Sequence, residues 1–247
     1  MYKLSNYKAG TSAEVLVYGE IGDEFGGVDA AAFYSEVSAL DAPAGITFRI
    51  NSYGGDVFSG YAVANIIRRL PQPTTTAIDG VAASIASVIA MAGDRVEIAD
   101  NAMLMIHNAW SSVAVAGDAR AMSEASESLE RMTTTLKAID DGIVEAYLAR
   151  VHVNEDQVRQ WMNAETWFTA REAERYGFVD AITEGLAVAA CYVPDGRYKN
   201  TPGHLLGSSR LETALAEYLA PEPQSAPDHA RRNRAAAWLN LTRPATR

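Results

Sequence analysis

The sequence predicts an α/β domain on a mostly parallel sheet, followed by a tail of different character. Three observations carry this expectation. Short β-rich runs alternate with helical periodicity over the first 185 residues. A proline-free stretch of helical spacing occupies about 118–150, and turn residues and proline take over beyond Gly185. With 247 residues, 48% of them hydrophobic and 21% charged, the chain is long and apolar enough to bury a sizeable core.

The elements follow in order. Val15 to Gly19 reads as a strand, and Val28 to Leu40 as an amphipathic helix with Phe33, Val37 and Leu40 on one side. Ile46 to Ile50 is the next strand. Val57 to Leu70 is a helix carrying Tyr61, Val63, Ile66 and Ile67, stopped by Pro71 and Pro73. Thr74 to Ile78 is a third strand ending at Asp79-Gly80, followed by a small-residue helix from about Ala83 to Met91. Arg95 to Ile98 and Met103 to Ile106 are two further strands. Strands alternating with helices through short connections predict parallel pairing.

Between 118 and 150 the only glycine is Gly142, and Leu129, Met132, Leu136, Ile139, Ile143 and Tyr147 recur at steps of three and four. That spacing predicts one long helix with a narrow apolar seam. Such a seam packs on another helix, here one from another subunit, or lies along its own domain. The tail, 186–247, holds six of the nine prolines (Pro194, Pro202, Pro221, Pro223, Pro227, Pro244). Short helices are expected at Leu211 to Leu219 and at His229 to Leu239, within a mobile or docking segment.

Charge and composition exclude several classes. The formal net charge of −10 argues against nucleic acid, whose phosphates need clustered Lys and Arg. The charge is uneven: 186–247 has eight Lys/Arg and five Asp/Glu, net +3, whereas 1–185 has 13 and 26, net −13. Cys191 is the sole cysteine, so no internal disulfide and no Cys-rich metal site is expected. His152, His204 and His229 lack metal-ligand spacing, and neither a metal nor a cofactor is expected. No window of roughly 18 apolar residues and no signal-peptide core occurs, so a cytoplasmic chain without membrane contact is expected.

Three segments could carry chemistry. Serine catalysis needs a serine on a tight turn, a base within reach and N–H donors for the oxyanion. Gly80 to Ser87 places Ser84 at a helix start, where free N–H groups favour negative charge; the same placement also suits a plain N-cap. Asn51-Ser52-Tyr53-Gly54-Gly55-Asp56 joins a strand to a helix, and its glycines let N–H groups face a ligand or simply close a turn. His107 ends the strand Met103 to Ile106, as a base or as a solvated or core histidine.

Ile50 to Gly55, Ala82-Ala83-Ser84 and Met105-Ile106-His107 resemble, in order and spacing, the Clp protease proteolytic subunit family. Trp167-Phe168-Thr169-Ala170, Ala173, Tyr176-Gly177 and Val179-Asp180 continue the resemblance, which spans about 14–185. It implies a serine endopeptidase of ClpP-like, crotonase-like α/β spiral fold. Ser84 matches the nucleophile and His107 the base; the Gly55 and Ile85 N–H groups match the oxyanion hole. The long helix matches the family's "handle", and a homo-oligomeric ring or stacked rings acting on protein substrates is implied.

Two departures stand out. Glu165 occupies the place of the family's triad Asp, with Asp180 and Asp118 as fallback acids, and Tyr53 replaces a Pro. An N-terminus that looks short argues against an AAA+ unfoldase partner. With the Ala-rich handle and the added tail, it resembles the ClpP-like head maturation proteases of tailed phages and prophages. Those imply capsid or scaffold substrates, cleaved without ATP inside a procapsid in the bacterial cytoplasm. The basic run Arg231-Arg232-Asn233-Arg234 would then target an acidic scaffold. Rival expectations are a housekeeping-type ClpP subunit, a crotonase-type acyl-CoA enzyme and a non-catalytic scaffold. A Ser–Lys peptidase is disfavoured because the only lysines are Lys3, Lys8, Lys137 and Lys199.

Overall fold

The computed structural model describes residues 2–4, 10–22, 29–112, 116, 118–185 and 197–202. It divides into two compact units, 1–189 and 190–247. In the second unit, the Arg197 guanidinium lies 5.8 Å above the Tyr198 ring. The helices expected at 211–219 and 229–239 lie outside the described residues.

The first unit starts with β1 (Tyr2–Leu4), β2 (Ala13–Tyr18), α1 (Ala30–Ser38), β3 (Ile46–Ser52) and α2 (Val57–Arg68). Then come β4 (Thr74–Ala83), α3 (Ile85–Ala90), β5 (Arg95–Ala99), β6 (Met103–Ile106) and α4 (Ala119–Leu148). It ends with α5 (Glu155–Asn163), β7 (Thr166–Thr169), α6 (Ala170–Tyr176) and β8 (Ala181–Thr183). The eight strands form one sheet in the order β1-β2-β3-β4-β5-β8, with β6 joined to β4 and β7 to β6. Among the described strand pairs, only β1–β2 and β6–β7 are antiparallel. The expected mostly parallel α/β architecture is therefore borne out.

Period-two burial explains β2 and β3. Val15, Val17, Phe48 and Ile50 enter the core, while Glu14, Tyr18 and Arg49 point to the opposite face. On that face the Asp79 carboxylate accepts bonds from Arg49 and, at 2.6 Å, from the Tyr18 hydroxyl. Asp29 caps α1 through the Ala31 N–H, and Asp56 caps α2 through the Ser59 N–H. Phe33 of α1 then meets Phe48 of β3, ring centroids 5.9 Å apart.

Strand β4 corrects one expectation. Instead of ending at Asp79-Gly80 it continues to Ala83. Its first half pairs with β5 over Thr75–Ile78, and its last three residues pair with β6. On its other side, β3 reaches Ala82 after a register shift between Ile50 and Ser52. Asn51 Oδ1 accepts the Val81 N–H at 3.3 Å across that shift. Gly80 and its small neighbours allow a strand buried on both faces to pass there. Because Ala83 belongs to the strand, α3 begins at Ile85, later than the expected Ala83.

The long helix is α4, capped by Asp118 through the Arg120 and Ala121 N–H groups. Its 30 residues extend about 45 Å at 1.5 Å per residue. The apolar seam divides: Ile143 and Tyr147 are buried in their own domain, whereas Leu129 is exposed, as is Met122 ahead of the seam. Past α4 the chain folds two helices and two strands that periodicity did not reveal. Trp161, Phe168, Tyr176 and Phe178 hold them together; Phe168 lies 5.1 Å from both Trp161 and Phe178. Tyr147 meets Phe178 edge-on at 5.8 Å.

Candidate active site

The centre of the site is the turn between β4 and α3. Ser84 has φ 57° and ψ −132°, a left-handed conformation that costs an L-residue about 1–3 kcal/mol. Hydrogen bonds hold it there. The Ser84 N–H donates to the Met105 carbonyl at 3.0 Å, and the Ser84 carbonyl accepts the Ser87 N–H at 2.9 Å. Although Ser84 occupies the N-cap position, its side chain makes no cap bond. The plain N-cap alternative is therefore not what the fold builds, and the hydroxyl is left for other work.

The β4–β6 pairing then brings the base. Ala83 is in register with Met105, so the next residues on β6 pass beside the turn. His107 Nε2 lies 2.7 Å from Ser84 Oγ, hydrogen-bond distance for a nucleophile and its general base. Ala109, just beyond, donates its N–H to Asp140 Oδ1 of α4 at 2.7 Å, which ties down the loop that carries the imidazole.

Two backbone N–H groups flank this turn in the sequence pattern, those of Ile85 and Gly55. Ile85 opens α3, so its N–H is among the first four, which lack an intrahelical acceptor. Around Gly55, Ile21 N–H donates to the Gly54 carbonyl at 2.9 Å and Asp56 N–H donates to the Ile21 carbonyl at 2.8 Å. Extended backbone alternates its polar groups, so the Gly55 N–H faces away from Ile21.

Glycine makes this packing possible. A Cβ on Gly54 (φ 90°) would come within 2.7 Å of Ser84 Cβ and 3.2 Å of Ile85 N. One on Gly55 (φ 149°) would lie 2.1 Å from the Ile21 carbonyl oxygen, and one on Gly60 of α2 would lie 2.2 Å from Ile85 Cγ1. Gly60 went unread in the sequence because an isolated helix glycine carries no signal of what it will approach.

Glu165 immediately precedes β7, the antiparallel partner of β6. Ile106 is opposite Thr166 and Met105 opposite Trp167, so His107 and Glu165 each lie directly beyond the paired end of this ladder. Glu165 follows α5, donates its N–H to the Met162 carbonyl at 3.1 Å, and has φ 49°. Among the described residues, Ser84 and Glu165 are the only non-glycine positions with positive φ. Such strain persists where surrounding structure over-determines it, and it concentrates at active sites. The fallback acids are engaged elsewhere. Asp118 caps α4, and Asp180 accepts Arg150 and the Val96 N–H at 2.5 and 2.7 Å.

Residues 11–185 match the family described as Clp protease. The chain belongs to the Clp protease family. It is therefore a serine peptidase. Its curated relatives include an ATP-dependent Clp protease proteolytic subunit 1 from Protochlamydia amoebophila, 30% identical over 61% of this chain and 69% of the relative. They also include an ATP-dependent Clp protease proteolytic subunit 3 from Rhodococcus jostii, 30% identical over 71% of this chain and 83% of the relative. A mutant ClpP1 from Listeria monocytogenes superposes with a TM-score of 0.58 at 22% identity, covering 70% of this chain and 91% of that one. That likeness establishes a ClpP-like fold.

Among the described residues no cluster of three or more His, Cys, Asp or Glu is placed to hold a metal. No described helix is long and apolar enough to cross a membrane.

Proposed function

We propose that this Clp family member hydrolyses peptide bonds with Ser84 as nucleophile, His107 as general base and Glu165 as the acid that orients the imidazole. The observation that carries the proposal is the 2.7 Å approach of His107 Nε2 to the hydroxyl of a strained Ser84. Ser84 Oγ attacks the scissile carbonyl carbon while its proton passes to His107 Nε2. The resulting oxyanion accepts bonds from the Gly55 and Ile85 N–H groups. The C–N bond then breaks, and the leaving amine takes the proton from His107. A water molecule, deprotonated by the same imidazole, hydrolyses the acyl-enzyme and restores Ser84.

Fluorophosphonate treatment followed by intact-mass analysis tests the assignment. Wild-type protein gains one adduct on Ser84, and Ser84→Ala gains none and loses proteolysis. An unlabelled wild type, or a Ser84→Ala chain that still cleaves protein, removes the proposal. The same adduct separates this reading from a crotonase-type acyl-CoA enzyme, which needs no activated serine.

The finer reading concerns substrates. Phage scaffold and capsid precursors, cleaved without ATP by a ring or stacked rings of this chain, fit the contrast between an acidic body and a net-basic 186–247 segment. The relatives are described as ATP-dependent, which supports the opposing choice of an AAA+ unfoldase partner. Co-expression with head proteins, with and without residues 190–247, separates the two. Processing of scaffold without ATP supports the phage reading. Degradation only with an unfoldase and ATP overturns it, and unchanged packaging of the truncated chain eliminates the targeting role of the tail.

A further inference from the structure

On the reading that the Ile85 N–H serves the oxyanion, we infer that Ser87 and Tyr147 are positioning residues for that donor. Together they form a relay of two buried hydroxyls that fixes the Ser84 carbonyl and so aims the amide on its far side.

The hydrogen bonds run in one direction. Ser87 Oγ donates to the Ser84 carbonyl at 2.5 Å, and Ser87 Oγ and the Tyr147 hydroxyl are 2.7 Å apart. A serine hydroxyl has a single proton, already committed to the Ser84 carbonyl, so Tyr147 is the donor in the second bond. Burial raises the tyrosine far above its ordinary range and keeps that proton in place. Both side chains are enclosed, Ser87 at 0% and Tyr147 at 1% exposure, so no water competes for either bond.

The Ser84 carbonyl and the Ile85 N–H belong to one planar peptide unit, and in a trans peptide they point in opposite directions. With the Ser87 N–H at 2.9 Å, the carbonyl oxygen carries two donors, which leaves the plane little freedom to rotate. The Ile85 N–H is thereby turned away from Ser87 and Tyr147, and its nitrogen borders the Gly54 turn, where a Cβ would lie 3.2 Å from it. Donors on a carbonyl also polarise its amide and strengthen the N–H on the other side. α3 has only six residues, too short to impose this orientation by its own ladder. Tyr147 reaches in from α4, so the relay anchors the oxyanion donor to that 30-residue helix.

Ser87→Ala and Tyr147→Phe each remove one hydroxyl and keep the packing; their double mutant and Ser84→Ala complete the set. The measurement is phosphonylation of Ser84 by a fluorophosphonate ester, resolved into the binding constant and the maximal rate across pH, with melting temperature as the folding control. Deleting an oxyanion donor outright costs about 10²–10³ in rate, so misaiming one is expected to cost about tenfold in Ser87→Ala and less in Tyr147→Phe. The binding constant and the pH midpoint set by His107 stay at their wild-type values. The double mutant falls no further than Ser87→Ala, because the tyrosine acts through the serine.

A maximal rate within about twofold of wild type in Ser87→Ala, losses that multiply in the double mutant, or a displaced pH midpoint would each overturn the relay. If Ser87→Ala fails to fold, Tyr147→Phe, which retains the ring, decides by the same readouts. A folded wild type that is not labelled on Ser84 defeats the peptidase assignment itself. A labelled wild type with indifferent relay variants defeats only the relay.

Discussion

The backbone N–H of Ser84 donates to the carbonyl of Met105 at 3.0 Å, two residues before His107. This single bond extends the β4–β6 pairing into the turn and sets the distance between hydroxyl and imidazole. The proposed catalytic pair thus lies at the continuation of a sheet ladder, where the 2.7 Å contact is made. Four expectations follow from the geometry around it.

Gly54→Ala places a methyl group 2.7 Å from Ser84 Cβ, on a backbone with φ 90°. Relief requires the turn to move. Chemical denaturation should show a loss of about 2–4 kcal/mol from strain and overpacking. Because small displacements of reacting groups are costly, the labelling rate at Ser84 should fall by about 10² or more. A variant with native stability and rate would mean that the turn yields more easily than its packing implies.

Glu165→Gln should keep the fold and lower kcat by up to about 10⁴, as expected when the imidazole loses the carboxylate that fixes its tautomer. Glu165→Asp should retain most of the rate, since the charge survives and only a methylene is lost. Equal activity in all three proteins would assign the acid's role to another residue.

Asp140 supplies a pH signature. Burial raises its carboxyl above the ordinary value, the bond from the Ala109 N–H offsets part of the rise, and Asp141 adds to it. A folded state that holds the proton more tightly than the unfolded one is most stable below the ordinary carboxylate pKa. It loses that advantage as pH climbs through the window up to the raised value. Asp140→Asn keeps an acceptor for Ala109 and cannot ionise. Denaturant titrations should therefore show wild-type stability falling relative to Asp140→Asn as pH rises through the ordinary carboxylate range and up to the raised value. Parallel curves would disprove the shift.

The exposed part of α4 bears on assembly. Met122 and Leu129 present apolar surface on a helix whose buried end is already packed. Leu129→Glu should leave unfolding within about 0.5 kcal/mol of wild type, as for other surface changes, while analytical ultracentrifugation records a smaller assembly. An unchanged sedimentation profile would place the subunit contacts elsewhere.

Much of this protein was legible in its residues. Period-two alternation marked β2 and β3, the spacing from Leu129 to Tyr147 marked α4, and prolines at 71 and 73 marked the end of α2, because local periodicity is what one-sided burial requires. The motifs around Gly55, Ser84 and His107 gave the chemistry its residue types. Elements held by contacts distant in sequence were not legible. The carboxyl half of β4 looked like a turn because Asp79 and Gly80 are poor strand formers, and only pairing with β3 and β6 makes them extended. β7 and α6 depend on an aromatic cluster assembled from three separate segments.

The sequence by itself determined the alternation of elements, the charge division and the residues proposed to react. The tertiary structure alone decided that Ser84 adopts a positive-φ turn, that β7 runs antiparallel to β6, and that Tyr147 reaches Ser87 across 60 residues. The physical reason is the same in each case. A residue's own propensities act over a few neighbours, whereas strain and buried hydroxyls are tolerated only when distant segments close around them.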